Sequence, residues 1–413
     1  MFLYIDPGTG SMLFTVVIAL VSTFYFFVRK IVLKIKFGIV RNRDGVNTDK
    51  LPLVIFSDHK RYWSIFEPIC DELEKRSFET YYYTMSEDDP AFDKNYQYIN
   101  CLYIGNGNKG ISKLNFLNAT IVFSTTPGLE VFQWKRSKLA DYYIHIMHAP
   151  KDATMYRMFG IDYYDCFLAS GEFQIDQIRK LEKLRNLPEK DIEIVGIPYM
   201  DVIKKRLDAY GHGGDFNVEE SKTILLAPSW GDSGILSKYG KELISKIIDT
   251  GYKIVIRPHP QSLVSEEKLI KELMNSFKDS DQIEWDMSDD NFDSMKNSDI
   301  MISDFSGIML EYNLIFDKPI IYTPFEFDDA QYDCAWLDEE PWIFKILPEI
   351  GFELKKENLD SIKEIIDDCI GNNKYSAGRT KARNEVWMYE NRGAEKVADF
   401  IIKKYMALQG SEV

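Results

Sequence analysis

The sequence predicts an α/β protein: two Rossmann-like domains facing each other across a cleft, preceded by one N-terminal transmembrane helix. Three observations carry this. Short apolar runs alternate with helical stretches along most of the chain, the pattern of parallel α/β sheets. A polar, glycine-rich stretch near the middle divides those runs into two sets. An uncharged apolar run opens the chain and is about 20 residues long, enough to cross a bilayer. The length of 413 residues suits two or three domains, and 45% hydrophobic with 28% charged residues marks a folded chain.

From Pro7 to Val28 there is no charge, and Met12 to Val28 is apolar apart from Thr15, Ser22 and Thr23. The span is placed at about residues 9–28, within an anchor of residues 1–43. A cleaved signal peptide would start with a basic region, whereas MFLYIDPGTG carries only Asp6. The positive charges follow the span (Arg29, Lys30, Lys34, Lys36, Arg41, Arg43), with no acid until Asp44. That asymmetry places the N-terminus outside and residues 44–413 on the cytoplasmic side of the cell membrane.

The first domain, residues 44–210, holds strand candidates at Leu53–Phe56, Thr80–Thr84, Cys101–Ile104, Thr120–Ser124, Tyr143–Met147, Cys166–Ala169 and Ile192–Val195. Residues 211–217 read as a glycine-rich linker. The second domain, 218–378, holds Thr223–Ala227, Lys253–Ile256, Ile283–Trp285, Ile300–Ile302 and Pro319–Tyr322. Helical patterns over residues 379–413 close the chain, with a break near Asn391-Arg392-Gly393. Ligands of open α/β sheets sit beyond the carboxyl ends of the strands, so chemistry is sought there.

Composition narrows the search. A net charge of −15 argues against a general nucleic-acid binder. Five scattered cysteines, never spaced CxxC, exclude a disulfide scaffold and a thiolate zinc site. There is no GxGxxG after the first strand, no Walker loop, no HExxH and no GxSxG. No cofactor and no metal are expected.

Three strand ends carry unusual residues. In Arg257-Pro258-His259-Pro260 a histidine is clamped between two prolines beside an arginine, which suits an anionic ligand; the alternative is a turn with a capping histidine. In Ser303-Asp304-Phe305-Ser306-Gly307 a strand gives way to a helix start, where free N–H groups and the dipole favour an anion; Ser and Asp are also ordinary capping residues. The third is His145-Ile-Met-His148-Ala-Pro-Lys151. The two histidines differ in parity along the strand, so His148 is the site candidate and His145 a buried, satisfied one. Lys151 and Arg157 would make that wall positive. His59 ends the first strand and is a weaker candidate, and His212 falls in the linker.

Taken in order, Leu225–Trp230, Arg257–Pro260, Ser303–Gly307, Lys318–Ile321 and Asn391-Arg392-Gly393-Ala394 resemble the CDP-glycerol glycerophosphotransferases, the teichoic-acid-type polyol-phosphate transferases. The resemblance covers roughly residues 140–400 and implies a GT-B fold, with the nucleotide donor held mainly by the second domain. It implies that His148 is the base and that His259 contacts donor phosphate, both catalytic. Arg257, Ser303, Asp304, Ser306 and Gly307 would bind the donor phosphates, and Glu311 would touch the ribose or base. Gly196-Ile197-Pro198-Tyr199-Met200-Asp201 has tyrosine where the family has arginine. The implied reaction moves glycerol phosphate, or a similar polyol phosphate, from a CDP-glycerol-like donor to a hydroxyl of a membrane-linked glycan or lipid, releasing CMP. A GT-B glycosyltransferase using a nucleotide sugar and a non-catalytic polymer-binding subunit are the alternatives.

Overall fold

The computed structural model describes residues 18–25, 28, 50–210, 221–288, 290–304, 307–324 and 327–410. Most of the expected span and all of the expected linker lie outside these residues. Among the described residues no helix is long and apolar enough to cross a membrane.

Residues 51–413 carry two fully parallel sheets. The first runs β1 (Leu51–Ser57), β2 (Thr80–Thr84), β3 (Ile99–Tyr103), β4 (Ala119–Ser124), β5 (Ala140–Ile146), β6 (Cys166–Ala169) and β7 (Asp191–Ile194), in spatial order β3-β2-β1-β4-β5-β6-β7. The second runs β8 (Thr223–Ala227), β9 (Lys253–Ile256), β10 (Ile283–Trp285), β11 (Ile300–Ser303), β12 (Ile320–Tyr322) and β13 (Gly351–Glu353), in order β10-β9-β8-β11-β12-β13. Strands such as β4, buried along its whole length, are near-continuous apolar runs because helices cover both faces.

Each sheet reverses its direction of growth beside its first strand: β1 is flanked by β2 and β4, and β8 by β9 and β11. The carboxyl ends of these central strands are where an open α/β sheet leaves a crevice. The expected strand positions agree with the structure, and β13 is an addition. It is only three residues long and follows the helix Trp342–Ile350 without an intervening turn.

The chain then returns to the first sheet. Helix Ser376–Val386 ends before Trp387, and Asn391 adopts φ 67° at the break ahead of helix Gly393–Leu408. The buried Asp201 carboxylate, on helix Pro198–Ala209, accepts bonds from Trp387 Nε1, Asn391 N and Gly393 N, each 2.8 Å. Gly196, at φ +77°, lets the returning backbone close in: a Cβ there would stand 1.9 Å from the Met388 carbonyl oxygen.

Candidate active site

The strand ends of both sheets meet around a cleft of about 760 Å³. The first sheet contributes Arg61 and Tyr62 after β1 and His148–Lys151 after β5. The second contributes Ala227–Pro228 after β8, Arg257–Pro260 after β9 and Gly307–Glu311 after β11. A side lobe of about 480 Å³ shares Arg61, Tyr62, His148, Asn291 and Glu311 with it, and adds Tyr199, Val202 and Ile203.

His148 is half-buried against the Tyr62 ring, with centroids 5.3 Å apart. Burial, followed by the nearby charges of Lys151 and Arg61, lowers its pKa to about 3. His148 is therefore a neutral imidazole. His145, on β5, is completely buried, as expected, but it is not fully satisfied. Its Nε2 lies 3.1 Å from the Tyr156 hydroxyl, while Nδ1 has no partner among the described residues. Because β5 ends at Ile146, alternation stops before His148, and both imidazoles reach the same tyrosine.

His259 keeps the shape the two prolines impose. Its Nδ1 accepts the Gln261 N–H at 3.1 Å, so the proton of the neutral ring sits on Nε2, ready to donate. Burial lowers its pKa, partly opposed by Asp304, so it meets an anion as a neutral donor. Arg257 lines the cleft, but its guanidinium is already engaged. It pairs with Asp286 and donates to the Ser288 carbonyl at 2.6 Å. Its job is to brace the loop after β10, so it is not the free charge the sequence suggested.

Two further expectations need correction. Ser303 is fully buried at the end of β11 and its hydroxyl donates to the Ala227 carbonyl, tying β11 to β8 rather than facing a ligand. The Asp304 carboxylate accepts the Ser229 N–H at 2.8 Å and the Ile235 N–H at 2.7 Å. It shapes the loop after β8, and its side chain does not bind phosphate. Ser306 lies outside the described residues. Gly307 does line the cleft, at the cap of helix Ile308–Ile315, and a Cβ there would meet nothing within 4 Å. Glu311, in the first turn, accepts the Tyr199 hydroxyl at 3.1 Å, and burial raises its carboxyl to about 7.

With Arg257 neutralised, positive charge comes from the other wall. Arg61 sits on the turn Lys60–Tyr62, where His59 Nδ1 accepts its backbone N–H at 3.1 Å. The exposed His59 is thereby a cap. Lys151 holds its ammonium 5.0 Å over the Tyr156 ring, and its carbonyl accepts Gln174 Nε2 at 2.7 Å. Burial lowers Lys151 to about 8, so it is mostly charged at neutral pH. Neither cation forms an ion pair among the described residues. Arg61, Tyr62 and Tyr156 escaped sequence reasoning, and Tyr199 was noted there only as a departure from the family's arginine. For Arg61 and Tyr62 a signal existed: they follow the strand around which the first sheet reverses. Arg157, by contrast, does not itself line the cleft; its backbone bridges to Tyr332, which does. Among the described residues no group of three or more His, Cys, Asp or Glu side chains is gathered as a metal site.

The chain matches the family model of CDP-glycerol:poly(glycerophosphate) glycerophosphotransferases over residues 153–403. It belongs to that family. It is thus a transferase of the glycerophosphotransferase type. Among solved structures, the wall teichoic acid polymerase TagF soaked with CDPG is similar at 15% identity and TM-score 0.56, over 86% of this chain and 89% of that one. A second TagF structure gives 14% and 0.55, over 93% and 99%. A putative UDP-N-acetylglucosamine 2-epimerase from Listeria monocytogenes gives 13% and 0.57, over 88% and 98%. At such identities these structures show a shared GT-B-like fold. No curated protein sequence matches the chain.

Proposed function

We propose that this glycerophosphotransferase-family enzyme transfers glycerol phosphate, or a similar polyol phosphate, from a CDP-activated donor to a hydroxyl of a membrane-borne glycan or lipid, releasing CMP. The observation that carries the reading is the pairing of a neutral His148 on one wall with a helix start and the donating His259 on the other. Arg61 and Lys151 supply the positive charge between them.

The acceptor hydroxyl attacks the phosphorus that bears the polyol. The bond from that phosphorus to the bridging oxygen breaks, and CMP takes the electron pair. His148 Nε2 takes the hydroxyl proton. When the donor binds, its two negative charges oppose the field of Lys151 and Arg61 and raise the basicity of the ring. His259 Nε2–H, the N–H groups at Gly307 and the two cations steady charge on the phosphate oxygens. Glu311, whose carboxyl is raised by burial to about 7 and is about half protonated near pH 7, can stand near a ribose hydroxyl with less repulsion of the phosphates than an ordinary carboxylate.

Incubation with CDP-glycerol, CDP-ribitol and UDP-sugars tests this, read as the nucleotide released. CMP from a CDP-polyol supports it; UDP from a nucleotide sugar replaces it with glycosyl transfer. The anchor belongs to the same proposal: a span at about residues 9–28, with catalysis on the cytoplasmic side. A periplasmic-type reporter fused after Val413 should be silent. A protein starting at Asn42 should retain turnover on soluble acceptors and lose rate on membrane-borne ones.

A further inference from the structure

The Tyr156 hydroxyl stands between two imidazoles, 3.1 Å from His145 Nε2 and 3.4 Å from His148 Nδ1. Its position is fixed from several sides. Its ring packs against both histidines, with centroids 5.2 and 5.9 Å away. Its carbonyl accepts the Asp333 N–H at 3.0 Å. The segment leading to it is clamped by the buried Asp152, whose carboxylate accepts the Trp342 N–H at 2.6 Å and the Ile343 N–H at 3.1 Å. Burial keeps the phenol protonated at any pH the enzyme meets.

One hydroxyl proton cannot serve two ring nitrogens. A phenol donates once and accepts from elsewhere, so each imidazole's tautomer depends on the direction of that O–H. If Tyr156 donates to His145 Nε2, its oxygen accepts Nδ1–H of His148, and Nε2 of His148 is a bare lone pair. If it donates to His148 Nδ1, then Nε2 of His148 carries the proton and has no lone pair with which to take another.

We propose that Tyr156 is a positioning residue that donates to His145 and accepts from His148, and so holds His148 in the tautomer whose Nε2 faces the cleft unprotonated. This rests on the reading of His148 as the base. His145 is then the acceptor that points the phenol the right way. The arrangement gives a function to a buried histidine that neither touches the cleft nor satisfies both its nitrogens.

The test is a set of near-isosteric variants assayed for kcat, donor KM and melting temperature, with 15N shifts of the imidazole nitrogens reporting the His148 tautomer. Tyr156→Phe frees His148 to take either tautomer and should lower kcat by roughly tenfold with donor KM within about twofold. His145→Phe leaves the phenol only His148 and the neighbouring Thr125 hydroxyl, turns its O–H toward His148, favours the wrong tautomer and should lower kcat by at least ~100-fold. Adding Tyr156→Phe to His145→Phe should restore activity to the level of Tyr156→Phe alone, a recovery that packing loss would not produce. His148→Gln serves as the reference. If it is ~100-fold or more impaired while both single variants turn over within twofold of wild type, the tautomer role is wrong and the base stands. An unchanged His148 tautomer in Tyr156→Phe overturns the proposal equally. If His148→Gln itself is fully active, the base reading fails and takes this proposal with it.

Discussion

Lys151→Met should weaken donor binding and strengthen the fold at once. In the folded protein burial lowers the ammonium from 10.5 to about 8. That gap corresponds to a cost of ~3 kcal/mol for carrying the charge in its half-buried place. Methionine keeps the length of the side chain and does not carry this cost, so the variant should melt higher. The sign follows from the direction of the shift. The penalty is fully present below pH 8, shrinks as pH rises from about 8, and is gone above 10.5, where both states are neutral. The stability gain should therefore be greatest near neutral pH and vanish in strong alkali. Affinity should move the other way, because a charge-assisted contact to phosphate is worth ~1.5–3 kcal/mol, or roughly 10- to 150-fold in donor KM. Wild-type kcat/KM reports the free enzyme, so it should fall above pH 8 as Lys151 loses its proton, and that limb should be missing in Lys151→Met. Calorimetric titration with CDP and a pH series of kcat/KM check both halves. A variant that melts higher but binds CDP as tightly as wild type and keeps the alkaline limb would show that Lys151 never meets the phosphates.

His148→Gln should cut turnover by ~10²–10⁴-fold while CDP affinity, measured by titration, stays within about threefold. Glu311 gains a negative charge as pH rises through about 7, so CDP affinity should weaken between pH 6 and pH 8; Glu311→Gln should flatten that change in the same titration. Asp201→Ala strips the acceptor from one side-chain and two backbone N–H groups, and differential scanning calorimetry should show a loss of ~3 kcal/mol. Arg257→Ala leaves Asp286, held near 2, without its partner; the loop after β10 should become readily cleaved in limited proteolysis, alongside weaker donor binding.

The strands were legible because burial on both faces writes them as apolar runs with turns between, and the two sets could be counted from the sequence. Strand β13 was not, since three residues starting at Gly351 and joined directly to a helix make no pattern of their own. At the site, local constraint was readable and partner choice was not. Pro258 and Pro260 fix His259 whatever surrounds it. Ser303 looks the same in sequence whether its hydroxyl faces a ligand or, as here, the Ala227 carbonyl of the neighbouring strand. Arg257 likewise gives no hint of Asp286, nor Glu311 of Tyr199, which lies 112 positions away. Such choices are made by tertiary contact, so a sequence can nominate the residues of a strand end without saying which of them reach the cleft.

The return of the chain to Asp201 also bears on how the protein is made. The first sheet is complete once β7 has been synthesised, yet the N–H groups that satisfy the Asp201 carboxylate belong to residues 391 and 393, and a third donor to Trp387. A ribosome delivers these nearly two hundred residues later. Until then a nascent first half leaves the Asp201 carboxylate without these donors and exposes the faces that helix Gly393–Leu408 will cover. Both halves must therefore close together, late, when the last helix leaves the exit tunnel. A premature stop ahead of Trp387 would spare every cleft residue and still leave the polypeptide for chaperones and proteases to find.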